Sequence, residues 1–334
     1  MVRRIFLVLS ALVCGSALPA QNVTRLDTVA GVPNIDKTSQ AQDVRFRDAN
    51  GDRMTVQVRV GGAGPYHFLV DTGADRSAVS TDIVSRLALA RVGSAELHTS
   101  TGVSMIKTAR VPSLEFTEPA QKMIDAAVLE GSNMGADGIV GADALRSQRV
   151  QFDFETKTMT IVPSAQADFR DEPGTIVVEA RRKNGRLILT DAVANGQKVT
   201  VVLDTGSEIC VGNEALRRRL MGRNLVDARQ KVDLLSVTGQ TISGDYMYVR
   251  ELQMGGVSLQ NLAVVFVDAH TFKQLKLDKT PSLLLGMNAI RAFKKVSIDF
   301  ANRKFRVLLP EHSELDTQLA GRVPPIASWI DRGL

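Results

Sequence analysis

The tripeptide Asp-Thr-Gly occurs twice in this chain of 334 residues, at positions 71–73 and 204–206, and each copy follows an apolar run. A carboxyl group at the end of an apolar strand loses part of its hydration, which raises its pKa. Two such carboxyls about 3 Å apart share one proton near neutral pH, because two negative charges repel at that distance. The ionised carboxylate then acts as a general base toward a water molecule, and the protonated carboxyl acts as a general acid. The two copies therefore predict water activation by Asp71 and Asp204.

The residues beside each aspartate suit a pair of loops that must meet. Gly73 and Gly206 lack a Cβ, which allows two backbones to approach each other closely. Thr72 and Thr205 carry hydroxyls that can lock the loops together and hold the carboxylates in place. We therefore expect these four residues to support the active-site loops.

The next position differs between the two copies, since Ala74 follows the first glycine and Ser207 follows the second. A hydroxyl that hydrogen-bonds an ionised carboxylate lowers the pKa of that carboxylate. The sequence therefore predicts that the Ser207 hydroxyl bonds the outer oxygen of Asp204. It follows that Asp204 would carry more of the negative charge and Asp71 more of the shared proton.

The surroundings of the two copies repeat in the same order, which indicates a duplicated all-β unit. Each copy is followed by an amphipathic stretch and then by an alternating segment broken at Thr-Gly. Alternation on both sides of a glycine predicts a hairpin with an exposed tip. The predicted tips contain Thr101 and Gly102 in the first unit, and Thr238 and Gly239 in the second.

Each unit then has two apolar residues followed by glycine, at 139–141 and 284–286, and ends in a hairpin. Asp153 and Asp299 occupy matching positions in the two closing hairpins, and we interpret them as turn or capping residues.

Other acidic residues near the two motifs are interpreted as structural. Asp75 is expected to form a local ion pair with Arg76 or another arginine. Asp137 and Asp143 flank the glycine of the first unit but have no acidic counterpart in the second, where Asn288 stands nearby.

These paired motifs resemble those of an aspartic peptidase of the pepsin and retropepsin type. The segment 71–75, Asp-Thr-Gly-Ala-Asp, is similar to the retroviral version, and 204–207, Asp-Thr-Gly-Ser, is similar to pepsin-like lobes. The resemblance covers roughly residues 44–309. It implies an all-β, bilobal acid-protease fold, with two related β-barrel-like lobes and a few short helices. It also implies peptide-bond hydrolysis by Asp71 and Asp204 as a catalytic dyad, without a cofactor.

In that family each lobe has a flap-like hairpin and an apolar-apolar-glycine strand that threads around the catalytic turn. The segments 139–141 and 284–286 match this strand, and the two Thr-Gly tips occupy the flap positions. The resemblance implies a peptide or protein substrate that lies extended between the lobes. Because one chain carries both halves of the site, it also implies a monomer with pseudo-two-fold symmetry.

Two other functions are open at this point. The chain lacks the flap tyrosine of pepsins, since Tyr246 and Tyr248 lie beyond the second tip, and it lacks the lobe disulfides. A catalytically silent protein that binds peptides or assists envelope assembly is therefore an alternative. A glycosidase is disfavoured, because such sites use aromatic platforms and the chain has one Trp and three Tyr.

The first twenty residues are typical of a signal peptide, because Arg3 and Arg4 precede a short apolar run and then small residues. We therefore expect export to the periplasm or the extracellular space, and a soluble mature protein without stable membrane insertion. The predicted segments are the signal peptide at 1–20, a leader or irregular segment at 21–42, the first lobe at 43–163, a linker at 164–174, the second lobe at 175–310 and a tail at 311–334.

The sequence disfavours metal and nucleic-acid sites. The histidines lack metal-ligand spacing, and Cys210 is the single cysteine once the signal peptide is removed, so no metal site is predicted. The basic clusters at 181–183 and 217–219 have no interleaved aromatic residues, so nucleic-acid binding is not expected. The four histidines are His67, His98, His270 and His312.

Overall fold

The computed structural model describes residues 42–48, 54–116, 121–145, 148–164, 175–183, 186–221 and 230–310. The predicted signal peptide and tail lie outside these ranges, as do all but one residue of the predicted leader and of the predicted linker.

The first lobe is built from strands and three short helices. In chain order its elements are β1 (Gln42–Asp48), β2 (Met54–Val60), β3 (Ala63–Val70), β4 (Ala78–Ser80), α1 (Thr81–Arg86), β5 (Arg91–His98), β6 (Val103–Glu115), β7 (Gln121–Leu129), α2 (Gly131–Met134), β8 (Gly138–Val140), α3 (Ala142–Leu145), β9 (Gln148–Asp153) and β10 (Thr158–Pro163).

The second lobe repeats this order with one additional strand near its start. Its elements are β11 (Ile176–Glu179), β12 (Arg181–Lys183), β13 (Arg186–Ala194), β14 (Gln197–Leu203), β15 (Cys210–Gly212), α4 (Glu214–Met221), β16 (Gln230–Leu235), β17 (Thr241–Met254), β18 (Val257–Phe266), α5 (His270–Gln274), β19 (Ser282–Leu285), α6 (Met287–Ile290), β20 (Lys295–Asp299) and β21 (Lys304–Leu308). The predicted all-β bilobal fold is confirmed.

The same strand crossing occurs in both lobes. Strand β8 lies between β3 and β4, parallel to β3 and antiparallel to β4. Strand β19 lies in the same way between β14 and β15. Each crossing inserts the predicted apolar-apolar-glycine segment beside the strand that leads into Asp-Thr-Gly. Backbone hydrogen bonds between these two strands therefore support the loop that follows.

A six-stranded antiparallel sheet joins the lobes in the order β1-β10-β9-β20-β21-β11. This order is symmetric about the central pair, because β9–β10 and β20–β21 are the closing hairpins of the two units. Asp153 Oδ1 accepts the N–H of Thr156 at 2.9 Å, and Asp299 Oδ1 accepts the N–H of Asn302 at 2.9 Å. The prediction that both aspartates are turn-capping residues is confirmed.

The two amphipathic helices begin at equivalent side-chain caps. The Ser80 hydroxyl accepts the N–H of Ile83 at 3.2 Å at the start of α1, and Asn213 Oδ1 accepts the N–H of Leu216 at 2.9 Å at the start of α4. The largest buried apolar cluster runs through both lobes, from Val56 in β2 to Val307 in β21. The scaffold beneath the catalytic loops is therefore one continuous core.

Candidate active site

The two Asp-Thr-Gly loops stand at the ends of β3 and β14. The backbone N–H of Asp71 donates to the carbonyl of Val140 at 3.0 Å, and that of Asp204 donates to the carbonyl of Leu285 at 3.1 Å. These carbonyls belong to the inserted strands β8 and β19. The hydrogen bond to the inserted strand therefore fixes the position of each aspartate at the end of its own strand, and it does so in the same way in the two lobes.

The two threonines of the motifs bind the loops to each other. The Thr72 hydroxyl donates to the carbonyl of Leu203 at 3.1 Å and accepts the N–H of Thr205 at 3.1 Å. The Thr205 hydroxyl donates to the carbonyl of Val70 at 2.6 Å and accepts the N–H of Thr72 at 3.0 Å. Both threonines are buried. Four reciprocal hydrogen bonds across the lobes thus hold the loops in the arrangement that the sequence predicts.

Each glycine of the motifs faces the carboxyl group of the opposite lobe. A Cβ added to Gly73 would lie 2.5 Å from Asp204 Oδ1, and a Cβ added to Gly206 would overlap the carboxyl group of Asp71. Real Cβ atoms do not approach other atoms this closely. The two aspartates are therefore packed against the facing loop, and only glycine leaves room for them.

Backbone N–H groups orient both carboxyl groups. Asp71 Oδ1 accepts the N–H of Gly73 at 2.7 Å and that of Ala74 at 3.0 Å. The corresponding two N–H groups of the second lobe bond Asp204. Each carboxyl group is therefore held by its own turn, which leaves the other Asp71 oxygen, Oδ2, on the side of the facing loop.

The pKa of Asp204 is raised to about 7, first by burial and second by the negative charge of Asp71. Arg186 and the backbone N–H groups oppose this shift. Asp204 therefore retains a proton at slightly acidic pH, although both carboxyl groups receive two backbone N–H donors.

The predicted role of Ser207 is wrong. Its hydroxyl donates to the carbonyl of Ile209 at 2.7 Å instead of bonding Asp204. The hydroxyl turns toward its own loop because that carbonyl lies two residues away and forms a short local bond. Without this donor, the predicted assignment of the negative charge to Asp204 loses its support, and the raised pKa of Asp204 points the other way.

Arg186 is a residue of the site that sequence reasoning missed. Its buried guanidinium lies on β13 of the second lobe, with Nε 3.7 Å from Asp75 Oδ1 in the first lobe. The ion pair of Asp75 is therefore made across the lobes with an arginine other than Arg76. The positive charge of Arg186 also lowers the pKa of Asp204, so one side chain links the lobes and acts on the dyad.

A signal for Arg186 was present in the repeat. Arg53 stands 18 positions before Asp71, and Arg186 stands 18 positions before Asp204. The recurrence of an arginine at the same offset would have marked both as partners of the motif. Arg53 itself lies outside the described residues.

A second pair of matching supports lies beneath the loops. Asp143 Oδ1 accepts the N–H of Ser77 at 2.9 Å, and Asn288 Oδ1 accepts the N–H of Cys210 at 2.9 Å. The structural interpretation of Asp143 is therefore confirmed, but Asn288 is its counterpart, which the sequence interpretation did not recognise. Cys210 itself is a buried free cysteine, and burial raises the pKa of its thiol to about 12, so it lacks nucleophilic character.

The structure places all four predicted tip residues in hairpin turns. Thr101 and Gly102 lie between β5 and β6, while Thr238 and Gly239 lie between β16 and β17. The Thr101 hydroxyl donates to Oε1 of Gln240 at 2.8 Å, so the two tips meet. The two hairpins therefore arch from opposite lobes toward a shared contact.

Tyr246 and Tyr248 lie on β17, away from the hairpin tip. Their rings meet edge to face with centroids 5.5 Å apart, and their hydroxyls lie 3.2 Å apart. They form part of the apolar wall of the second lobe with Ile209 and Val265. The absence of a tyrosine at the tip, noted in the sequence, therefore holds in the described structure.

Comparison with known families identifies both lobes. Residues 56–147 match the family described as "gag-polyprotein putative aspartyl protease", and residues 190–289 match the family described as "Aspartyl protease". No curated protein matches the chain. Both family matches fall on aspartyl proteases, which decides against the glycosidase hypothesis.

Two further observations concern the described residues. Among them, no group of three or more His, Cys, Asp or Glu is placed to hold a metal ion. No helix within the described ranges is long and apolar enough to cross a membrane.

Proposed function

Because the chain belongs to the aspartyl protease family, as a retropepsin-like aspartic peptidase with both lobes in one polypeptide, we propose that Asp71 and Asp204 together activate the water that hydrolyses the peptide bond. The observation that carries this proposal is the reciprocal packing of Gly73 and Gly206 against the facing carboxyl groups. Two carboxyls held this way can act on one water and one carbonyl at the same time.

The proposed reaction uses the unequal proton affinities of the two aspartates. Asp204 donates its proton to the carbonyl oxygen of the substrate, while Asp71 takes a proton from the attacking water. The water oxygen bonds the carbonyl carbon and yields a neutral gem-diol. Asp71 then passes its proton to the amide nitrogen as the C–N bond breaks. Asp204 recovers a proton from the gem-diol, so the dyad returns to its starting state without a covalent intermediate.

The substrate is proposed to lie extended between the two lobes, under the hairpins β5–β6 and β16–β17. An extended peptide can pair its backbone with a hairpin as an added strand. The contact between Thr101 and Gln240 supports a cover that closes from both sides. Such a cleft accepts the middle of a chain, which makes the enzyme an endopeptidase, with Gly102, Thr238 and Gly239 as further residues of the cover.

The test of the dyad is the loss of cleavage in Asp71→Asn and Asp204→Asn. Each change removes one of the two proton-transfer groups, so we expect kcat for an internally cleaved peptide to fall by about 10²–10⁴-fold or more. Asp268→Asn is the matched control, since that carboxylate is exposed and pairs with Lys273. Cleavage is measured on a peptide library at several pH values, with a statine-type inhibitor as a second probe.

Full activity in either dyad variant would contradict the proposal. Wild-type protein that binds peptides but cleaves none of them between acid and neutral pH would instead support the catalytically silent binding protein.

Asp204→Asn also tests the raised pKa through stability. Because the folded protein holds this proton to about pH 7 while an exposed aspartate loses it near 3.9, the folded state binds more protons in that interval. The wild type therefore loses stability as pH rises from about 4 to 7. Asp204→Asn is expected to be more stable than the wild type at pH 7.5, by up to about 4 kcal/mol, with the difference vanishing below pH 4.

We further propose export and a monomeric state. Export is supported by the predicted signal peptide at 1–20, which lies outside the described residues, and is tested by sequencing the mature N-terminus. A monomer is supported by the presence of both motif aspartates in one chain, and sedimentation of the purified protein tests it. An intact N-terminus, or a dimer at assay concentration, would contradict these two proposals.

A further inference from the structure

Two histidines that are far apart in sequence meet between the lobes. His98 is the last residue of β5 in the first hairpin, and His270 is the first residue of α5 in the second lobe. The Nδ1 atom of His98 lies 2.9 Å from the Nε2 atom of His270. The rings stack with centroids 5.2 Å apart and planes inclined by 13°. One imidazole therefore donates to the other, which requires that at least one ring be neutral.

The same place carries a second bond between the hairpin and the second lobe. The backbone N–H of His270 donates to the carbonyl of Ser100 in the hairpin tip at 2.8 Å. Helix α5 is anchored beneath this contact, because Phe272 and Leu275 are buried in the apolar cluster of the second lobe. The hairpin, in contrast, extends from its own lobe as two strands with many exposed residues. Of the two partners, the hairpin is the one that can swing away.

Both imidazoles are open to solvent protons. His98 is exposed and His270 is half-buried. Glu96 on the same strand lies near the outer ring nitrogen of His98, with Oε2 4.0 Å from Nε2. Lys107 on β6 approaches Ser94 further along the hairpin, and Lys273 on α5 is paired with Asp268 at 2.8 Å. Among these charged groups, Glu96 is the one in contact with a ring of the pair.

We propose that His98 and His270 form a pH-sensitive latch that holds the first hairpin on the second lobe and releases it when both rings are protonated. The chemistry follows from the number of protons on the pair. When both rings are neutral, or when the pair carries one additional proton, a ring nitrogen with a free lone pair accepts the N–H of the other ring. A single positive charge on the pair strengthens this hydrogen bond. When each ring has gained a proton, both facing nitrogens are donors, so the hydrogen bond is lost and the two positive charges repel each other.

The latch acts in one direction on the pH scale. Imidazoles take up protons at about pH 6.5 in general, and the second proton of a closely spaced pair binds only at lower pH. Protonation of both rings opens the latch, so the hairpin is held at neutral pH and released in acid.

The consequence for catalysis depends on the proposed function. If the hairpin covers the catalytic loops, release admits substrate at acidic pH, where Asp204 also holds its proton. Access to the cleft and the protonation state of the dyad would then change together as pH falls. The latch itself is a property of the hairpin contact and can be measured without turnover.

The experiment follows hydrogen exchange at the backbone N–H of His270, which is protected by the Ser100 carbonyl while the latch is closed. The wild-type protein is examined between pH 7.5 and 4.5, with rates corrected for the intrinsic pH dependence of exchange. We expect protection to fall about tenfold or more on acidification. Because no cleavage is involved, failure of the dyad test and failure of the latch test are independent results.

The decisive variant is the double change His98→Asn and His270→Gln. The Asn amide takes the place of Nδ1 and the Gln amide takes the place of Nε2, so a hydrogen bond can form while neither side chain gains a proton. Protection is expected to stay constant with pH in this variant. His270→Gln alone should behave in the same way, which provides a second test if the double variant does not fold.

His67→Gln is the matched control, since His67 lies on β3 outside the latch and should leave the wild-type response unchanged. Constant protection in the wild type would overturn the latch. An equal loss of protection in the double variant would overturn it as well.

Discussion

The two lobes are nearly identical at the catalytic loops. They differ in the connection that follows the third strand of each flap sheet, which consists of β5, β6 and β7 in the first lobe and of β16, β17 and β18 in the second. In the first lobe, residues 130–137 join β7 to β8 through the short turn α2. In the second lobe, residues 267–281 join β18 to β19 through α5 and are about twice as long. The additional residues of the second lobe carry α5, whose first residue contacts the hairpin of the first lobe.

The longer connection gives the second lobe a part that the first one lacks. Phe272, Leu275 and Leu277 pack against Val202 of β14 and Leu284 of β19 in one apolar cluster. This cluster fixes α5 as a platform on which the hairpin of the first lobe rests. The two hairpins are therefore held differently, although they are equivalent by sequence order.

A second difference appears on the flap sheets themselves. Arg110 on β6 pairs with Asp125 on β7, with Nε 2.8 Å from Oδ1, and this guanidinium holds the pKa of Asp125 below its usual value. At the corresponding place in the second lobe, Tyr248 on β17 faces Ala263 on β18. A charged pair has been exchanged for an apolar contact. The flap sheets therefore differ at this pair of positions, whereas the Asp-Thr-Gly residues of the catalytic loops are the same in both lobes.

The strongest test of the symmetric part uses the two motif glycines. Gly206→Ala would place a Cβ on the carboxyl group of Asp71, and Gly73→Ala would place one 2.5 Å from Asp204 Oδ1. We expect kcat to fall by about 100-fold or more in both, since the carboxyls must move from their reacting positions. Gly256→Ala is the control, because its nearest neighbour would lie at an ordinary 3.5 Å. Wild-type kcat in Gly206→Ala would show that the close packing is not needed.

The next test compares the two threonines by stability. Thr72→Val and Thr205→Val each remove two buried hydrogen bonds between the loops. We expect the free energy of unfolding to fall by about 2–3 kcal/mol in each, measured by urea denaturation. Thr→Ser changes at the same positions keep the hydroxyls and should cost less. If the two variants lose strongly different amounts of unfolding free energy, the two threonines do not contribute equally to the contact between the loops.

A smaller effect separates Arg186 from Ser207. The charge of Arg186 lowers the pKa of Asp204, so Arg186→Gln should raise that pKa, and the alkaline limb of kcat/KM, near pH 7 in the wild type, should move up by about half a unit to one unit. Arg186→Lys keeps the charge and should shift less. Ser207→Ala should not shift the limb, because its hydroxyl bonds the Ile209 carbonyl. Equal shifts in the glutamine and alanine variants would contradict this distinction.

The smallest effect is expected at the contact between the hairpin tips. Thr101→Ala and Gln240→Ala each remove the same exposed hydrogen bond. We expect KM to rise about twofold with kcat unchanged, and the double variant to match the single ones because one bond is shared. Thr156→Ala is the control, since its hydroxyl contacts Thr158 in the closing hairpin of the first lobe at 2.8 Å. Additive effects on KM would indicate that the tips act separately.

Sequence reasoning succeeded where the structure depends on neighbours along the chain. The hairpin turns at 101–102 and 238–239, and the turn-capping roles of Asp153 and Asp299, were predicted because each satisfies its own backbone locally. The internal repeat then predicted the bilobal fold, because the same series of elements occurs twice along the chain. Sequence reasoning failed to recognise Asn288 as the counterpart of Asp143, because an amide oxygen accepts the backbone N–H in one lobe and a carboxylate oxygen accepts it in the other.

The sequence by itself determined the duplicated all-β architecture and the two catalytic loops, because turn chemistry, strand alternation and motif spacing are short-range properties. Only the tertiary structure decided that Ser207 turns away from Asp204, that Arg186 reaches Asp75, and that His98 meets His270. These contacts depend on the rotamers of single side chains and on the relative placement of the lobes. Neither quantity leaves a periodic trace along the chain, so only the folded molecule displays them.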